Sequence, residues 1–240
     1  MGERLPGLQF SLFGIPVRVE LWFFALSLFA LQVRDVRGAL IWSLGIFVGV
    51  LVHELGHAFT MRAYGFPPSI TLHALGGWTH FPEGARPTPK QNFFITLAGP
   101  GAGLCLGLLA LAAESFIRTP NADLALLLSD AVWINITWSF VNLLPILPWD
   151  GGLILDSGLQ WLTGRRYDRV VALSSMIGGA LMIPFALQKH ILMLGYFGGM
   201  GLFHGYNRWS AALAAAPAVP LRTDDEEKRL QLELDRKSVV

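Results

Sequence analysis

The chain has 240 residues, 53% hydrophobic and only 15% charged, with a net charge of +1 and a mean hydropathy of +0.49. That composition argues against a water-soluble domain and makes the bilayer the natural solvent. Near-neutral charge gives no reason to expect nucleic acid as a partner, and a lone cysteine, Cys105, excludes an internal disulfide.

In chain order, residues 10–19 read as short strands around a turn at Gly14. The apolar run 21–33 is 13 residues long, short for a span and comparable to a signal-peptide core. Arg34, Asp35 and Arg37 behind it are unlike a small-residue processing site, so a retained short span is expected. Residues 38–61 are apolar until His53, Glu54 and His57 interrupt them. Residues 70–81 alternate loosely around Gly76-Gly77 and read as a second extended segment. Runs 93–113, 131–149 and 170–188 carry no charged residue, and each is long enough to cross ~30 Å of hydrocarbon as a helix. Residues 191–207 also lack Asp, Glu, Lys and Arg. Cys105 lies in one of these runs and is expected to be a small buried thiol.

Glycines recur every fourth residue at Gly99, Gly103 and Gly107, and again at Gly195 and Gly199, a spacing that marks helix-packing faces. The expected fold is an all-α polytopic membrane protein of about six transmembrane helices with short membrane-associated β-strands. The membrane domain is expected over 1–210, followed by a cytoplasmic linker and charged tail at 211–240. With the N-terminus inside, and the tail set aside, nine Lys and Arg fall on inner segments against four on outer ones. Both termini are therefore expected in the cytoplasm.

Chemistry enters with His53-Glu54-Leu55-Gly56-His57. On a helix this H-E-x-x-H spacing puts two imidazoles one turn apart on one face, able to bind a single zinc, with Glu54 rotated toward the water it would activate. From this composition about 0.005 chance matches are expected, so the motif is a strong signal. Ionisable groups inside an apolar span are also costly enough to mark a functional site by default. Catalytic zinc usually takes three protein ligands and one water. Asp150 is the best third ligand, because Pro145, Pro148, Gly151 and Gly152 break the helix around it and can turn its carboxylate inward. The competing reading of Asp150 is a turn residue at the interface.

The H-E-x-x-H motif in an apolar span, Ala98-Gly99-Pro100 in the next, and Asn142-x-x-Pro145-x-x-Pro148-x-Asp150-Gly151 together resemble the site-2 protease family of intramembrane metalloproteases over residues 10–161. The resemblance implies one Zn²⁺ held by His53, His57 and Asp150, with Glu54 as general base and Asn142 as a polar group near the scissile carbonyl. Trp149 departs from it, since the family often has a smaller aliphatic residue before the aspartate. The implied partners are a transmembrane protein substrate and the lipid bilayer of the cell inner membrane, not nucleic acid, with self-association as a homo-oligomer left open. A metal-binding transporter or channel is the rival, because broken helices and polar residues also mark transport pathways. His73, His80, His190 and His204 are expected at interfaces, Asp130 at a helix end and Asp156 in a solvated turn. A substrate helix must unwind before its carbonyls can be reached, and residues 70–75 are the edge strand expected to pair with it.

Overall fold

A computed structural model describes residues 7–24, 31, 34–74, 76–117, 121–189 and 192–215. β1 (Gly7–Leu12) and β2 (Ile15–Glu20) form an antiparallel hairpin. Its two turn residues, Phe13 and Gly14, both have positive φ, as the tightest hairpin turns require. The chain then enters α1 (Val36–Ala63), whose first turn is capped by the Asp35 carboxylate accepting from the Gly38 amide at 2.8 Å. β3 (Ser69–His73) returns parallel to β2, and β4 (Gly76–His80) folds back antiparallel to β3. The sheet order is β1-β2-β3-β4. Strand periodicity puts Ile15, Val17, Val19, Ile70 and Leu72 on one face, where they form a core with Phe23 and with Val50, Leu55 and Ala58 of α1.

This order corrects one expectation. Residues 70–73 of that segment are not an edge, because they lie in β3, which is paired with β2 and β4, and Leu75 lies outside the described residues; among the described residues the free edges belong to β1 and β4. The glycine pair opens β4.

Five further helices follow: α2 (Pro89–Phe116), α3 (Ala122–Asn142), α4 (Asp150–Thr163), α5 (Asp168–Lys189) and α6 (Leu192–Ala214). The start of α2 is fixed by Pro89 in the first turn and a capping box between Thr88 and Gln91. The described residues are thus mostly helical, with the expected short β-strands gathered into one four-stranded sheet. Among the described residues four helices, α1, α2, α3 and α5, are long and apolar enough to cross a membrane. Most of the expected 21–33 span lies outside the described residues, as do His190 and residues 216–240, and the expected boundary at 210 falls inside α6.

The expected span 131–149 is displaced. α3 begins at Ala122 and stops at Asn142, because Pro145 and Pro148 cannot continue a helix, and 143–149 is a loop. Asp130 is accordingly no helix-end charge. It is buried within α3 and takes a two-pronged bond from Arg34, at 2.7 and 2.9 Å. Asp156 lies in α4 and pairs with Arg208 of α6 at 2.7 Å, while Arg208 also holds Asp168 of α5. Cys105 is exposed, on an outer face of α2.

Gly99, Gly103 and Gly107 do form a packing face, turned toward both α1 and α3. In α6 the packing glycines are Gly198, Gly201 and Gly205, against Gly179, Ser175 and Ala172 of α5; Gly199 faces open space.

Candidate metal centre

His53 and His57 are buried on α1, 18 and 22 residues into a continuous helix, so their spacing follows from helical pitch alone. Their Nε2 atoms lie 3.2 Å apart. Asp150 reaches the same point from the first turn of α4, its Oδ2 lying 3.0 Å from His53 Nε2 and 3.5 Å from His57 Nε2. One donor atom from each residue lies within 4.8 Å of the others, the arrangement a metal ion requires. Tetrahedral zinc at ~2.0–2.2 Å from nitrogen and oxygen separates its ligands by roughly 3.3 Å, so the observed 3.0 to 3.5 Å spacings fit. The donor set of two imidazoles and one carboxylate also fits zinc, leaving a fourth position free.

Asp150 owes its place to the loop before it. Ile146 inserts between α5 and α6, where a Cβ at either Gly178 or Gly201 would overlap it. The Leu147 amide donates to the Ser175 hydroxyl at 2.9 Å. Gly151 and Gly152 let the start of α4 fold onto the loop, since a Cβ at either position would strike the backbone of residues 143–147. Trp149 stacks edge-on against Phe197, 5.3 Å between centroids, which explains how a large aromatic is accommodated beside the ligand.

Surrounding groups tune the site. His57 Nδ1 donates to the Ile95 carbonyl of α2 at 2.7 Å, leaving Nε2 bare for a metal. Gly99 is required here, because any Cβ would overlap the His57 ring. Glu54 is buried beside the pair, and the Thr79 hydroxyl of β4 bonds its Oε2 at 2.7 Å. Gly77 packs so closely on Glu54 that any side chain there would push the Glu54 carboxylate out of its place. Asn142 ends α3, buried, with Nδ2 donating to the Trp138 carbonyl at 3.0 Å; one amide hydrogen and the amide oxygen remain for another partner. His73 and His80 lie on β3 and β4, outside the ligand cluster. His80 lies 3.1 Å from Thr71 Oγ1, and burial lowers its pKa below the usual histidine value. Sequence reasoning missed Thr79, Gly77 and the Ile95 carbonyl. The Gly76-Gly77 pair was the one visible signal, and the sequence placed it within an extended segment without showing that this segment covers Glu54.

A family model described as peptidase family M50 matches residues 41–119 and 113–185. The chain belongs to peptidase family M50. This M50 chain is 33% identical over 70% of its length to a Synechocystis sp. protein named "Putative zinc metalloprotease". It is 27% identical over 77% to a zinc metalloprotease of Methanocaldococcus jannaschii, and 29% identical over 66% to stage IV sporulation protein FB of Bacillus subtilis. It spans about half the length of these relatives, 48%, 55% and 56% respectively. Its fold is similar to that of the site-2 protease from Methanocaldococcus jannaschii, with a TM-score of 0.61, 22% identity, and coverage of 85% of this chain and 95% of that one.

Proposed function

We propose that this chain is an intramembrane zinc metalloendopeptidase that hydrolyses peptide bonds within transmembrane segments of other proteins. The observation that carries the reading is the convergence of His53, His57 and Asp150 beside a buried Glu54, on a helix apolar enough to span the bilayer. Membership of M50 and relatives named zinc metalloproteases support zinc as the ion. The outward faces of the helices support a bilayer, since Leu40, Leu44, Leu109, Trp133, Leu181 and Phe203 are all exposed. Under this reading residues 1–210 form the membrane domain, with about six spans and both termini cytoplasmic, and 211–240 form the tail.

Zinc held there supplies Lewis-acid polarisation of a peptide carbonyl and acidifies water. Glu54 takes the proton at its carboxylate and later returns it to the leaving amine. Thr79 holds Oε2 of that carboxylate, which leaves Oε1 for proton transfer. Asn142 directs its remaining amide hydrogen to the developing oxyanion. The substrate is a transmembrane helix that unwinds and pairs with the free edge of β4, directly over Glu54, so that its freed backbone groups find partners in a dry site.

The test is cleavage of a transmembrane substrate in membranes. Glu54→Gln should keep zinc and lose at least ~10² in rate. Asn142→Ala should also keep zinc, and lose about 10²–10³ if it serves the oxyanion. Near-normal cleavage by Glu54→Gln removes Glu54 from the chemistry, and near-normal cleavage by Asn142→Ala reduces Asn142 to packing.

A further inference from the structure

The two imidazoles of the site are not equally held. His57 has its second nitrogen bonded to the Ile95 carbonyl. His53 Nδ1 is buried and has no hydrogen-bond partner among the described residues, although a ligating imidazole carries a proton there that normally finds an acceptor. A second orphan lies close by. Ser139 of α3 is 1% exposed, and its hydroxyl is likewise without a partner among the described residues.

That hydroxyl is unlike others in these helices. Ser43, Ser115, Ser157 and Ser175 each donate to the carbonyl four residues back, at 2.6 to 2.8 Å. Ser139 does not, and its hydroxyl is turned toward α2. Both orphaned atoms meet over one residue of that helix. A Cβ on Gly103 would lie 2.7 Å from Ser139 Oγ and 3.8 Å from His53 Nδ1. Gly103 therefore leaves the gap beside which Ser139 of α3 and His53 of α1 both lie.

We propose that Ser139 is the positioning residue for His53. Its hydroxyl oxygen accepts the Nδ1–H of His53, either after rotation about its own χ1 or through one buried water. The serine proton then goes to the Asn135 carbonyl, one turn back and also beside Gly103. This fixes the imidazole with Nε2 aimed at Asp150, the task that Ile95 performs for His57. The inference rests on the reading of His53 as a metal ligand, and it gives α3 a part in the support of that ligand.

The experiment measures zinc affinity by chelator competition on the full chain in a Glu54→Gln background, with thermal unfolding of the metal-free protein as a second readout. Ser139→Ala should weaken zinc about 10- to 100-fold, the usual effect of removing such a support, while the melting temperature of the metal-free protein stays unchanged. Gly103→Ala should weaken zinc similarly by displacing the hydroxyl, and the two changes combined should cost no more than the larger alone. Parental zinc affinity in Ser139→Ala overturns the proposal. So does a lowered melting temperature with unchanged affinity, which would make Ser139 a packing residue. His53→Ala separates this from the site reading: if it too binds zinc normally, the metal centre itself is misassigned, whereas loss in His53→Ala alone overturns only the role of Ser139.

Discussion

The second half of α1 and the loop 143–149 bring ligands to the same point by opposite means. On α1, two imidazoles meet because residues four apart on any helix share a face, and Ala or Leu in their place would leave the helix intact. The loop has no regular structure of its own. It delivers Asp150 only because Ile146 is wedged into the glycine-lined contact of α5 and α6, Leu147 is bonded to Ser175, and Gly151 and Gly152 allow α4 to start against it. β4 resembles the loop in this respect, since it reaches Glu54 through its pairing with β3. The difference teaches that half of the site is local and robust, while the other half is borrowed from distant packing and can be uncoupled from it.

The largest effect should come from removing ligands. His57→Ala and Asp150→Ala should each abolish stoichiometric zinc, measured by elemental analysis of purified protein, and activity with it, while the helical circular dichroism is kept. Full zinc occupancy in Asp150→Ala would break the comparison by showing that α1 suffices.

Next comes the contribution of β4. In Glu54→Gln protein lacking Cys105, a cysteine replacing Trp78 should form disulfides with cysteines scanned along a substrate's transmembrane segment, at alternate positions, because side chains of a paired strand alternate. A cysteine replacing Thr71, opposite Trp78 on the interior strand, should crosslink poorly. Equal or better crosslinking from Thr71 would sink the assignment of β4 as the docking edge.

The smallest effect on the metal should come from loosening the loop at a distance. Ile146→Ala empties a buried pocket and should cost about 2–5 kcal/mol in thermal unfolding. It should weaken zinc measurably, yet less than His57→Ala, because the carboxylate remains on α4. Unchanged zinc affinity in the destabilised variant would show that α4 alone positions Asp150.

What could be read from the sequence was whatever repeats at short range. The H-E-x-x-H spacing, the strands around Gly14, the apolar runs behind α1, α2 and α5, and the Gly99, Gly103 and Gly107 face all follow from helical or strand periods within one segment. Asp150 could be proposed because prolines and glycines announce a break, but its distance to the imidazoles depended on α5 and α6. Local pattern misplaced what depends on a partner far along the chain. Asp130 looked like a helix-end charge until Arg34, 96 residues away, supplied its counter-ion within the bundle. The 70–75 segment looked like an edge until β4 covered one side and β2, across the whole of α1, the other. A short-range period fixes which face a side chain takes. Which neighbour meets that face is decided only when distant segments pack, and the support of Glu54 by Thr79 and the placement of Ser139 over Gly103 are of that second kind.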